Sequence, residues 1–159
     1  MTRRIKSLAS DESGASLIEM GLALPILASL LIGMVDISRA YSAKLQLEQA
    51  AYRAIEKVQQ YNTTSSTYNT LKSEAASAAT AAGFQNVTDS NVTIDFWLEC
   101  NGTRAADYNS VCPANQTYAR WVTVDINASF SPMFASRRWP GANSDGTFTL
   151  HGKAGLRTQ

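Results

Sequence analysis

The feature that most constrains this chain is an apolar run near its N-terminus, "ASLIEMGLALPILASLLIGMV", which begins at Ala15 and ends at Val35. A helix of about 21 residues, rising about 1.5 Å per residue, just covers a hydrocarbon core about 30 Å thick. One charge interrupts the run, Glu19, set among Leu17, Ile18, Met20 and Leu22. A carboxylate at the bilayer centre costs about 2.5 kcal/mol or more even on lenient insertion scales. Either the segment is not in a membrane, or Glu19 has a purpose there. Pro25 also lies inside the run, where a membrane helix tolerates proline, usually with a kink.

The flanking charges set an orientation. The chain has 14 Lys/Arg and 13 Asp/Glu for a net charge of +1. Arg3, Arg4 and Lys6 oppose only Asp11 and Glu12 before Gly14, and the remaining charges balance. Arg39 and Lys44 follow the run, with Asp36 among them. The bias places the N-terminus inside and the C-terminal body outside. A nucleic-acid partner would need basic clustering that is absent; Arg137-Arg138 is the other cluster and reads as a solvated turn. Two ordinary readings of the run are a cleaved secretory signal, with small residues near Ala40 or Ala43, and a plain N-terminal anchor. The run is longer than the usual signal core of about 7–15 residues, Arg39 sits awkwardly beside such a cut, and neither reading gives Glu19 a role.

A third reading does. A basic leader ending in Gly14, followed by "ASLIE" with Glu19 as the fifth residue, resembles the N-terminus of a type IV prepilin. The resemblance implies that a membrane prepilin peptidase cuts between Gly14 and Ala15, and that the mature subunit leaves the bilayer for a filament. Cleavage would remove the basic leader and create a positive amine at Ala15, one helical turn from Glu19. A carboxylate in the first turns of a helix also meets the positive end of the macrodipole. A Glu19–amine pair, within one subunit or between neighbours, specifies register more than it adds stability. The segment more narrowly resembles the TadE-like subfamily, minor pseudopilins of the tight-adherence (Tad/Flp) pilus system. The residues that carry this are Gly14, Glu19, Met20, Leu24, Pro25, Gly33, Asp36, Arg39, Ala40 and Tyr41, with "AYRA" at residues 51–54 as the helical continuation. Met20 stands where Phe or Tyr is commoner, and Ala15 lacks the Phe of many type IV pilins. The family implies a bacterial inner-membrane protein with a cytoplasmic N-terminus and a periplasmic body, incorporation into an extracellular pilus being open. Its implied partners are the membrane, the prepilin peptidase and other pilins or pseudopilins, with no small-molecule substrate and no cofactor.

The rest of the chain predicts an α+β fold. Leu47, Ala51, Ala54, Ile55 and Val58 recur at helical spacing, with Arg53, Glu56, Lys57 and Gln60 on the other face. One helix over residues 15–61 would be apolar all round over residues 15–35 and striped thereafter, before "QQYNTTSST" ends it. A second helix is expected over residues 68–82, with Leu71, Ala75, Ala78, Ala79 and Ala82 on one side and Gly83 just past its end. The period then changes to two. "NVTIDFWLEC" alternates Val92, Ile94, Phe96 and Leu98; "RWVTVDINASF" alternates Val122, Val124, Ile126, Ala128 and Phe130; "GTFTLHGKAGL" places Phe148 and Leu150 on one face. These predict an antiparallel sheet of three or four strands with one covered face. The first two runs should pair as a long-looped hairpin, and Asp145-Gly146 should turn the chain into the third. The organisation is a leader over 1–14, a long helix over 15–61 and a globular head over 62–159.

Few residues offer chemistry. Cys100 and Cys112 lack metal or redox spacing. Paired, they close the loop "NGTRAADYNSV", worth about 3 kcal/mol in the chain-entropy model, in an oxidising compartment. Unpaired, they are two buried thiols; the membrane segment upstream and the polar loop favour the bridge. His151, the single histidine, lies in an alternating stretch and reads as a strand residue. Asp95 and Glu99 share a strand face about 13 Å apart, too far for a glycosidase pair. Trp97, Trp121 and Trp139 could line a groove, but packing against loops is the simpler role. Asn-x-Ser/Thr at Asn62, Asn86, Asn91, Asn101, Asn115 and Asn127 reads as polar surface in a bacterial protein. The sequence thus points to a structural or assembly component and not to an enzyme. The alternative is a membrane-tethered module that binds a surface through the Cys100–Cys112 loop.

Overall fold

The structure is a computed structural model that describes residues 13–60, 70–134 and 137–158. Residues 1–12 of the expected leader lie outside the described residues, as do Tyr61, Asn62 and Tyr68. The chain divides into two compact units, Met1–Ser38 and Arg39–Gln159.

One helix, α1 (Ser13–Gln60), contributes to both. In the first unit it buries none of its large apolar side chains among the described residues. Leu17, Ile18, Leu22, Leu30 and Met34 are all exposed, Leu17 to 74%. The helix continues through Pro25, whose ring leaves one backbone carbonyl of the preceding turn without its donor. Ser29, the hydroxyl in this stretch, donates to its own backbone at Ile26 O (2.7 Å) and so needs no external partner.

In the second unit the same helix becomes amphipathic. Leu47, Ala50, Ala51, Ala54, Ile55 and Val58 are buried in a core with Val122, Val124, Ile126, Ala128 and Ala154 of the sheet. Ala50 joins the expected stripe. A second helix, α2 (Leu71–Ala81), adds Leu71, Ala75, Ala76 and Ala79. Its buried side includes Ala76, while the expected Ala78 and Ala82 are only half-buried. The cause is composition: a helix rich in alanine has little amphipathic contrast to fix its roll. Past its end Gly83 takes φ +106°. The Gly83 and Phe84 amides donate to Thr80 O and Ala79 O, each at 3.0 Å, the paired bonds of a Schellman cap. Lys57 of α1 meets Glu74 of α2 at 3.3 Å, an exposed contact.

The sheet contains β1 (Val92–Cys100), β2 (Thr103–Arg104), β3 (Tyr118–Phe130) and β4 (Phe148–Arg157), in the order β2-β1-β3-β4 and antiparallel throughout. The expected long-looped hairpin is β1–β3, with Val92 opposite Ile126 and Cys100 opposite Tyr118. Gly146, at φ +84°, turns the chain into β4, its amide donating to Asn143 O. One face of the sheet is covered by the helices. Gly152 of β4 sits against α1 so closely that a Cβ there would collide with the Leu47 backbone.

Candidate functional site

Two places hold the residues singled out from the sequence, one in each unit. In the first, α1 begins at Ser13, so Gly14 lies in its first turn, exposed, with open space around it. Glycine inside a helix costs about 1 kcal/mol relative to alanine. No close approach within the described residues requires it at Gly14, Gly21 or Gly33. Glu19 is exposed on the helix surface, one turn beyond Ala15. Between Gly14 and Val35 the helix presents an apolar cylinder about 10 Å across and about 33 Å long, on the order of 1000 Å². Soluble monomers leave contiguous apolar patches of only about 300–600 Å². Among the described residues α1 is the one helix long and apolar enough to cross a membrane.

In the second unit, Cys100 and Cys112 form a disulfide, with Cα atoms 5.6 Å apart. The bridge ties the end of β1 to the loop that follows it, and that loop has structure of its own. Asn101 (φ +49°) and Gly102 (φ +82°) form a two-residue turn, and Thr103–Arg104 folds back on β1 as β2. Positive φ at both central positions is the requirement of a type I′ hairpin, and Asn-Gly is its commonest pair. β2 places Arg104 beside β1. Its guanidinium donates two hydrogen bonds to Asp95, at 2.9 and 2.7 Å, and holds that carboxyl below its ordinary value. Arg104 also lies 5.0 Å from the centre of the Trp97 ring. Trp97 stacks on Trp121 at 6.2 Å, so the packing role of these two rings holds. Further along the loop, Tyr108 is nearly buried and meets Phe96 edge-on at 5.3 Å. Arg120 donates to Tyr108 O and Ser110 O, both at 3.3 Å, and fixes the loop from β3. Phe96, expected on the covered face, keeps 38% of its surface exposed because a loop ring, not a helix, meets it. Val111 projects from the same loop, 89% exposed.

These contacts are structural in kind. Asp95 and Glu99 do not meet as a carboxylate pair; Asp95 is engaged by Arg104. His151 is exposed at the surface, its Nδ1 3.4 Å from Asp125. Among the described residues no cluster of His, Cys, Asp or Glu could hold a metal ion. The sequence analysis does not single out Arg104 or Tyr108 as packing partners; the Asn101-Gly102 dipeptide is the signal that places Arg104.

Residues 14–55 match the model of the TadE-like protein family. The match covers the apolar half of α1 and most of its amphipathic half, and stops short of α2 and the sheet. No curated protein and no solved structure matches the chain.

Proposed function

We propose that this chain is a minor pseudopilin of a bacterial tight-adherence pilus, held in the inner membrane by the first half of α1 until it is processed. The observation that carries the reading is the coincidence of the TadE-like match with an apolar helix that has no core of its own around Gly14 and Glu19. A prepilin peptidase removes residues 1–14, and Glu19 then pairs with the new amine at Ala15 of its own or a neighbouring subunit. The helix exchanges lipid for other pilin helices, since its apolar surface suits either surrounding. The N-terminus faces the cytoplasm and the head faces the periplasm, where the Cys100–Cys112 bridge is stable. The chain performs no catalysis in this role.

The test is the mature N-terminus, with and without substitution. The wild-type protein should begin at Ala15. Gly14→Leu should keep its leader and remain in the membrane, whereas Glu19→Ala should be cleaved and fail to support pili. An intact leader in cells with normal pili refutes the processing step; normal piliation with Glu19→Ala refutes the assembly role. A second reading, a tethered binding module, is favoured by the braced loop that presents Val111. Replacing "NGTRAADYNSV" with a short linker would then abolish attachment and leave pilus number unchanged.

A further inference from the structure

The sheet closes part of one edge and leaves the other open. On the β1 side, β2 pairs with Glu99 and Cys100, and the Ala105 amide donates to Leu98 O at 2.7 Å. On the β4 side, no strand pairs with the outer edge among the described residues. One bond gives the direction of the β4 backbone groups. Trp121 is opposite Arg157, so Arg120 is opposite Thr158, and the Thr158 amide donates to Arg120 O at 2.8 Å. Hydrogen-bonded and non-hydrogen-bonded pairs alternate along an antiparallel ladder. Leu156, Ala154, Gly152 and Leu150 therefore turn their N–H and C=O groups toward β3. Thr149, His151, Lys153 and Gly155 turn theirs outward, along about 20 Å of edge. The bond from the Asn101 amide to Thr117 O gives the same alternation from the other side: odd-numbered residues of β3 face β1 and even-numbered ones face β4.

A row of unpaired backbone groups is a template for a further strand. Two features say which strand fits. The outward-turned residues are all exposed on the open face of the sheet, and they include Lys153 but no carboxylate. An acidic residue directly opposite Lys153 is a favourable cross-strand pair. On the helix side, Leu150 and Leu156 are only half-buried against the core, and between them Gly152 rests on the Leu47 backbone. The intervening residues of an added strand fall on that side, so apolar ones extend the core there. A second copy of β4 lacks the acid. The antiparallel register that uses all four outward residues sets His151 opposite Lys153 twice. Sliding it by two sets Lys153 against Lys153, or His151 against His151.

We infer that the outer edge of β4 is a docking site for an extended segment of another protein. The segment joins the sheet as a fifth strand, with an acidic residue opposite Lys153 and apolar residues alternating with it on the helix side. The inference concerns the head alone and does not rest on the processing or the membrane reading of α1.

Amide hydrogen exchange on the full chain in detergent micelles tests it. The probes are two short peptides of alternating valine and threonine, one with glutamate and one with lysine in place of the central threonine. In the free chain the amides of His151, Lys153 and Gly155 should exchange fast, and those of Gly152 and Ala154 slowly. The glutamate peptide should slow the first set and bind more tightly than the lysine peptide. Lys153→Glu should reverse that preference, changing each affinity by about tenfold. Lys153→Pro removes one outward N–H and leaves the β3 ladder whole, a substitution that an edge strand accepts. It should abolish binding of both peptides while Gly152 and Ala154 stay protected, which confirms that the variant folds. Failure of the glutamate peptide to bind, equal binding of the two peptides, or binding that survives Lys153→Pro overturns the proposal. So does protection of the outward amides in the free chain, which means that the chain covers its own edge. Protection that grows with protein concentration makes a second copy the occupant, and also overturns it.

Discussion

Gly152→Ala should be the most damaging small substitution in the head. The added methyl would enter the space held by the carbonyl carbon, oxygen and Cβ of Leu47. Two of those atoms are backbone, so no rotamer change relieves the contact, and α1 must move off the sheet. Overpacking costs about 1–3 kcal/mol in general, and a backbone obstacle puts this site near the top, at about 3 kcal/mol. For a head of this size that corresponds to a fall of about 10 °C in melting temperature. Gly155→Ala is the control on the same strand. Its Cβ would meet the Thr123 Cγ2 at 3.2 Å, the end of a side chain that can shift slightly. Alanine also lowers the entropy of the unfolded chain, by about 0.4–1 kcal/mol, so the net change should be small. Thermal unfolding of the full chain in detergent, followed by the near-ultraviolet signal of the Trp97–Trp121 stack, separates the two. Equal melting temperatures for Gly152→Ala and Gly155→Ala would refute the close approach of α1 to β4.

Removing the bridge with Cys100→Ser and Cys112→Ser should cost about 3 kcal/mol on the chain-entropy model, since it closes a loop with a sequence separation of 12; denaturant titration with and without reductant measures it, and an unchanged midpoint would show that β2 and Arg120 hold the loop unaided. Acid should expose the Asp95–Arg104 pair: the folded carboxyl lies below its ordinary value because of the Arg104 hydrogen bonds. Its contribution is therefore complete above the unfolded value of about 3.9 and disappears as pH falls through the lower folded value. Asp95→Asn should flatten that part of the stability–pH curve by a small amount, the pair being exposed, and an identical curve in the variant would refute the coupling.

The parts of this fold that were legible in the sequence are those with strong contrast. Val122, Val124, Ile126 and Ala128 alternate with polar residues, and all four are buried. Leu47, Ala51, Ala54, Ile55 and Val58 stand out against charged neighbours, and all five face the core. Contrast is missing from α2, where nearly every position is small, and Ala76 replaced Ala78 on the buried side. β2 was lost for another reason: its two residues carry no periodicity, and only the backbone demand at Asn101-Gly102 announces it. Contacts such as Arg104 with Asp95 join residues brought together by that turn, so they could be read only after it. At the first site, Gly14 and Glu19 were legible because their spacing is local to one helix.

The small residues of α1 do different work in its two units. In the first, Gly14, Gly21 and Gly33 face open space, so their close-approach capacity is unused among the described residues. In the second, Ala50, Ala51 and Ala54 share one core with Ala154 of the sheet, where Gly152 meets the Leu47 backbone. Small side chains on both partners leave little freedom in the distance and register of helix on sheet, because there are no long rotamers to absorb a shift. That register is what sets Phe130 beside Arg39. A tightly docked second half of α1 therefore fixes where β3 ends along that half of the helix, with Phe130 beside Arg39. A looser interface, such as Gly152→Ala would produce, should part Arg39 from Phe130 without changing either residue. A double-mutant cycle of Arg39→Ala with Phe130→Ala tests the link: an undiminished coupling energy in the Gly152→Ala background would mean that this contact does not depend on the close approach at Gly152.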